Sequence, residues 1–152
     1  EDLYRRGLYT FMKRTVPAPS MLIFDSSNRD QCETERSFTN TPLQALVMLN
    51  DPTVLEASRV LASRLLSEKS TEKEKINKAF RLILCRKPKA KELNLLERYY
   101  KDKLATITEE DALELASIGE YPQEENVDRQ SVAALMQVIS TMYNMEESIS
   151  RS

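Results

Sequence analysis

Apolar residues recur every three or four positions through most of the chain, the spacing that gathers them on one side of an α-helix. Leu3, Tyr4, Gly7, Leu8, Phe11 and Met12 define the first such segment, from about Asp2 to Arg14, with Arg5, Arg6, Lys13 and Arg14 off the stripe. It predicts an amphipathic helix that Pro17 and Pro19 terminate, with Val16 and Ala18 held extended by the prolines after them. Thr41-Pro42-Leu43-Gln44 is a helix start: a threonine N-cap, proline at the first helical position and glutamine three residues after the cap. The short helix runs through Leu49. Asn50-Asp51-Pro52 breaks it and caps the next, whose apolar face of Val54, Leu55, Leu61, Ala62, Leu65 and Leu66 extends to about Ser67.

Thr71 with Glu74 forms a second capping box, followed by the stripe Ile76, Ala79, Phe80, Ile83 and Leu84. Arg86-Lys87-Pro88 ends that helix. Its neighbour, from about Lys89 to Ala105, presents Leu93, Leu96, Tyr100 and Leu104, and the short connection predicts antiparallel packing of the two. Thr108 with Asp111 opens a shorter helix that Gly119 closes, and after a polar loop Asp128 caps a last one carrying Val132, Leu135, Met136, Ile139, Met142 and Tyr143, with Met145 and Ile149 near its end. The fold class is therefore all-α, an orthogonal or antiparallel bundle of about six helices forming a single domain over residues 1–152. Residues 17–40 have no helical period and read as one long ordered loop, a length that compact domains keep for function or tie down by packing.

Composition supports this class. Two glycines, Gly7 and Gly119, leave few sites for the positive-φ turns of hairpin folds. The chain has 152 residues, and its formal charge of −2 gives no general reason to expect nucleic acid or an anionic membrane as partner. No apolar run approaches the roughly 18 residues of a membrane span. Charge is nevertheless uneven: residues 69–91 hold nine basic side chains against Glu72 and Glu74, and residues 109–128 hold eight acidic ones with no basic residue. The two stretches are complementary to each other or to a partner. The opening Glu1-Asp2-Leu3-Tyr4 already lies inside an apolar pattern, so the chain is expected to be the C-terminal fragment of a larger protein.

Histidine is absent, which removes the commonest general base and metal ligand. Covalent c-type haem requires Cys-x-x-Cys-His, a spacing that Cys32 and Cys85 do not make, and the methionines of the last helix read as core filler. No cofactor is expected in this chain. The two cysteines read as unpaired, partly buried thiols, with one disulfide in an oxidising compartment as the alternative. The polar residues concentrated around the long loop are Arg14, Asp25, Asn28, Arg29, Asp30, Arg36, Thr39, Asn40, Gln44, Asn50 and Asp51. Arg14, Asp25, Arg29, Arg36 and Asn40 are the candidate ligand-binding set, with arginines gripping a carboxylate, a sulfate or sugar hydroxyls. The competing and favoured reading pairs Arg14 and Arg36 with Asp25 and Asp30 and uses Thr39, Asn40 and Asn50 to hold loop backbone. Carboxylates of the loop match no known metal spacing, and Cys32 sits in an acidic setting that disfavours a reactive thiolate.

Three strings, Arg5-Arg6-Gly7-Leu8-Tyr9-Thr10-Phe11-Met12-Lys13-Arg14-Thr15, Thr39-Asn40-Thr41-Pro42-Leu43-Gln44-Ala45-Leu46 and Leu49-Asn50-Asp51-Pro52, occur in this order. With the ending Tyr143-Asn144-Met145-Glu146-Glu147, they resemble the C-terminal half of the family named domain of unknown function 1553. That resemblance implies a large exported bacterial protein, periplasmic or otherwise extracytoplasmic, often with a c-type cytochrome or carbohydrate-binding-like domain upstream. Haem would belong to such a domain and not to this chain. It assigns no catalytic residues. Against similar sequences, Lys89 replaces a small hydroxyl or acidic N-cap, Cys85 a frequent glycine and Met12 a frequent tryptophan. The expected role is a helical support and interaction module whose partners are upstream domains of the same polypeptide, with carbohydrate as a candidate ligand. The alternative is that its loop residues complete an enzyme active site shared with the upstream region.

Overall fold

The computed structural model describes residue 4, residues 7–11, 17–26, 34, 39–124 and 126–149. Among these the elements are a 3₁₀ turn at Gly7–Tyr9 and eight α-helices: α1 (Pro19–Ile23), α2 (Pro42–Asn50), α3 (Pro52–Leu66), α4 (Glu72–Leu84), α5 (Ala90–Thr106), α6 (Glu109–Ser117), α7 (Arg129–Tyr143) and α8 (Glu146–Ile149). The described residues contain no strand. None of the helices is long and apolar enough to cross a membrane.

The helix starts follow the local chemistry. Thr41, Thr71 and Thr108 each accept the amide of the residue three positions on, while Gln44, Glu74 and Asp111 reach back to the cap amide. Asp51 and Asp128 cap α3 and α7 through their carboxylates. Each such cap satisfies amides that a helix leaves without a partner, worth about 1 kcal/mol. Lys89 has no acceptor atom, so α5 keeps only half a box, the Lys89 amide donating to Glu92 Oε2 at 2.6 Å.

The core is organised around α7, which packs on α3, α5, α6 and α4. Leu135, Met136, Val138, Ile139 and Met142 of α7 meet Ala62 and Leu65 of α3, Ile76 and Phe80 of α4, and Leu96 and Tyr100 of α5. The apolar stripe read along the last helix is only part of its buried surface. Ala133, Ala134 and Ser140 are buried too, because a helix enclosed by neighbours needs small side chains on its other faces. Met136 and Met142 are core filler as expected.

Three features depart from the sequence reading. Where a helix was expected from about Asp2 to Arg14, residues 7–9 form a single 3₁₀ turn and Thr10 a bend, with Leu8, Tyr9 and Phe11 exposed. A short helix is marginal without a surface that covers its apolar face, and here nothing described covers it. Inside the 17–40 loop, Pro19 at the first helical position starts the five-residue α1, with Ala18 extended before it. The last helix stops at Asn144, and α8 follows as a separate turn.

Cys85, expected to be partly buried, is a free and exposed thiol. It closes α4 in the left-handed conformation, φ 55° and ψ 17°. This geometry suits glycine better than cysteine, since a Cβ in this region costs about 1–2 kcal/mol. Glycine also gains freedom in the unfolded chain, offsetting about 0.5–1 kcal/mol of that relief. Cys85→Gly should therefore stabilise the protein by about 0.5–1 kcal/mol. Urea denaturation would show it as a higher midpoint at unchanged slope, and a lower midpoint would refute the strain argument.

Candidate functional site

The side chain of Gln44, 1 % exposed, is the hub of the polar residues around the loop. Its Oε1 accepts the Thr41 amide at 3.0 Å, and its Nε2 donates to the Ile23 carbonyl at 2.8 Å and to Thr39 Oγ1 at 3.0 Å. Thr39 in turn donates its amide and its hydroxyl to Asp25 Oδ2, at 3.0 and 2.6 Å. Asp25 stands at φ 53°, a conformation aspartate tolerates better than most residues. The glutamine that completes the helix cap thus also fastens the end of α1, and Asp25 and Thr39 join the two ends of the segment between them.

Of the candidate binding set, the structure brings Asp25 into this cluster and leaves Asn40 exposed beside it. Arg14, Arg29 and Arg36 lie outside the described residues, as do Asn28, Asp30 and Cys32. Asn50 donates to the Leu46 carbonyl at 2.8 Å, and Asp51 accepts the Thr53 amide, so both hold the corner between α2 and α3. Gln44→Ala would remove three bonds at a buried position and should lower stability by about 2 kcal/mol. Thermal melting checks this, and a loss near zero would mean that the hub does not hold the loop.

A second cluster escaped the sequence reading. Glu56 and Arg59 on α3 are 3 % and 2 % exposed and lie 3.8 Å apart. Glu56 Oε1 accepts the Tyr4 hydroxyl at 2.9 Å and the Tyr121 amide. Arg59 donates through Nε to the Ile118 carbonyl at 2.9 Å and through Nη2 to the Tyr121 carbonyl at 2.6 Å. Burial pushes the Glu56 carboxyl up, but the Tyr121 amide, the Tyr4 hydroxyl, the Glu120 amide and the Arg59 guanidinium together hold it below the usual carboxylate range. The pair fixes the chain leaving α6, where Gly119 takes φ 91°. One signal was available: residues 56, 59 and 62 are successive steps along one helical stripe, so this pair shares a face with the buried Ala62.

Among the described residues Lys73, Lys78 and Arg86 of the basic stretch 69–91 pair with carboxylates that lie outside the acidic stretch 109–128. Lys78 pairs with Glu68, and Lys73 lies 3.6 Å from Glu97. Arg86 holds Glu92 through Nη1 and Nη2, both at 2.9 Å, and Glu147 of α8 through Nε at 2.6 Å, while its guanidinium lies over Phe80. Hydrogen bonds from Arg86 and from the Lys89 amide hold the Glu92 carboxyl down to about 2, against an ordinary 4.5. Arg86 likewise lowers Glu147. A folded-state value below the unfolded one gives stability that is present above about 4.5 and lost as the pH falls toward 2. Arg86→Ala should therefore be destabilising at pH 7 and progressively less so below pH 4.5. Denaturant titrations across that range check it, and a penalty independent of pH would contradict the assignment. Among the described residues no three acidic or cysteine side chains form a group placed to hold a metal ion.

Residues 1–100 match the model of a family described as a protein of unknown function, DUF1553. The chain belongs to this family. No curated protein and no solved structure matches the chain. The DUF1553 match ends within α5, and so includes the Gln44 hub, the Glu56–Arg59 pair and Arg86 but not α6 to α8, which supply Ile118, Tyr121 and Glu147. The Thr39–Leu46 string carries a physical task in this DUF1553 chain, since Thr39, Thr41 and Gln44 make the bonds that seat α1 on α2.

Proposed function

We propose that this chain is a support and interaction module of an exported multidomain protein, and that it docks on upstream domains of the same polypeptide through its N-terminal third. The observation that carries this is the apolar surface there. Leu43, Leu46 and Leu49 follow one another at three-residue steps along α2 and are 45–56 % exposed, and Leu8, Tyr9 and Phe11 are 66–87 % exposed. The segments are linked in space: Gly7 lies against Met21 of α1, and α1 packs on α2. Exposed apolar groups of this size scattered singly are ordinary, but a run of six on adjoining segments marks an interaction surface. Among the described residues the two bonds that Asp25 accepts serve the loop itself, which supports a structural part for that carboxylate over a role in a shared active site. Carbohydrate as ligand and an extracytoplasmic location rest on the family resemblance.

The test is the triple substitution Leu43→Ser, Leu46→Ser, Leu49→Ser in the full-length protein. Expected is faster limited proteolysis between this module and the region upstream, with helical content retained. A protease map identical to that of the wild type would overturn the proposal.

A further inference from the structure

A groove of about 700 Å³ runs beside α3, lined by Val54, Ala57, Val60 and Leu61 of that helix and by Leu82 and Ile83 of α4, with Arg64 toward one end. We infer that it binds a single-chain lipid carboxylate, the alkyl chain along α3 and the carboxylate on Arg64. The inference does not rest on the exposed leucines of α2.

Shape selects the chain. From Thr53 to Arg64 the lining residues of α3 recur every three or four positions, so they form one stripe along about 16 Å of helix. A dodecyl chain has that reach. The stripe is open to solvent: Ala57 and Leu82 are exposed, and Val54, Val60 and Leu61 are only partly buried. The volume is within the range of ligand sites. Spread along the stripe it is too narrow for a helix, which is about 10 Å across with its side chains. An extended peptide would bring amides for which an aliphatic lining holds no partners. An alkyl chain brings none.

Charge selects the head group. Among the described residues Arg64 is the one charged side chain in the lining, and it has no hydrogen-bond or ion-pair partner. Glu68, one turn further on, is paired with Lys78, so the positive charge at this end of the groove is not offset. An arginine whose fork is unspent offers a carboxylate two parallel hydrogen bonds. Each methylene covered by the stripe adds to affinity, so chain length sets its strength and Arg64 its preference for an anion.

The experiment titrates dodecanoate, dodecyltrimethylammonium and acetate, at submicellar concentrations, into the full-length protein by isothermal calorimetry, as wild type, Arg64→Gln and Ala57→Trp. Both positions are exposed and their side chains make none of the bonds that hold the fold, so the variants should melt with the wild type. Expected is one dodecanoate per chain, bound at least tenfold more weakly by Arg64→Gln and by Ala57→Trp, whose ring fills the groove. On the wild type the cationic amphiphile should bind at least tenfold more weakly than dodecanoate, and acetate should not saturate. Absence of saturable dodecanoate binding, several molecules per chain, or a smaller difference in any of these comparisons overturns the assignment. A helical peptide of leucine and glutamate that binds this groove where dodecanoate does not would overturn it in favour of a protein partner.

Discussion

Gly119→Ala should destabilise the protein by about 3 kcal/mol. Two effects add at this position. The backbone stands at φ 91°, where an L side chain is strained by about 1–2 kcal/mol. A Cβ built there falls on Glu56 Cδ and Cγ, well inside van der Waals contact. The flexible end of an exposed glutamate would move aside at little cost. Glu56 is not free to do so, because its Oε1 holds Tyr4 and the Tyr121 amide inside a buried site. Displacing it exposes those donors to loss of their acceptor, about 1–3 kcal/mol more. For a chain of this size 3 kcal/mol lowers the melting temperature by on the order of 10 °C. Circular dichroism melting measures it directly, and a shift under about 2 °C would show that Glu56 is not pinned.

This glycine also shows what could be read from the chain alone. Its position just after the apolar period of α6 marked it as a helix terminator, and the structure places it one residue past the Ile118 cap. That is local information, set by the residues on either side. The same holds for the starts of α2, α4, α6 and α7, where the cap and the residue it serves lie within three positions. What Gly119 lies against was not legible. Glu56 precedes it by more than sixty residues, and nothing near either residue names the other.

The candidate site divides in the same way. Gln44 was legible as the closing residue of a capping box, but its second task, the bond from Nε2 to the Ile23 carbonyl, depends on α1 being a helix whose end comes close. The Met21-Leu22-Ile23-Phe24 run was too short for a helical period to show, so α1 was read as loop. Leu8 and Phe11 failed for the opposite reason. Their spacing is helical, but spacing predicts a helix only where a partner surface buries the stripe, and these residues stand exposed. Glu56 and Arg59 were passed over because charged residues one turn apart usually mark a solvated face. Only the backbone arriving from α6 converts that face into an interior.

Arg59→Met follows from that conversion and has the largest expected effect, a loss of about 3–5 kcal/mol. Methionine keeps much of the side-chain volume, so packing is not the main term. Four consequences act together: the Glu56 carboxylate is left buried without its counter-charge, the Ile118 and Tyr121 carbonyls lose their donors, and the turn at Gly119 loses its anchor. Glu56→Gln alone should cost less, because an amide oxygen still accepts from Tyr4 and Tyr121. Combined with Arg59→Met it should recover part of the loss, since neutralising Glu56 removes the stranded charge while the two carbonyls stay unpaired. The pair of substitutions should therefore be non-additive by at least about 1 kcal/mol, in the direction of mutual rescue. Acid acts on the same carboxylate. Glu56 is held below its ordinary 4.5 in the folded wild type, so its contribution is present above that pH and fades as the pH falls through the depressed value. In Arg59→Met the depression shrinks, and the difference between variant and wild type should narrow on acidification. Guanidinium titrations of the four proteins at pH 7 and pH 4 decide the matter. Strict additivity at pH 7 would mean that Glu56 and Arg59 act separately and that the clamp on the α6 exit is held by the arginine alone.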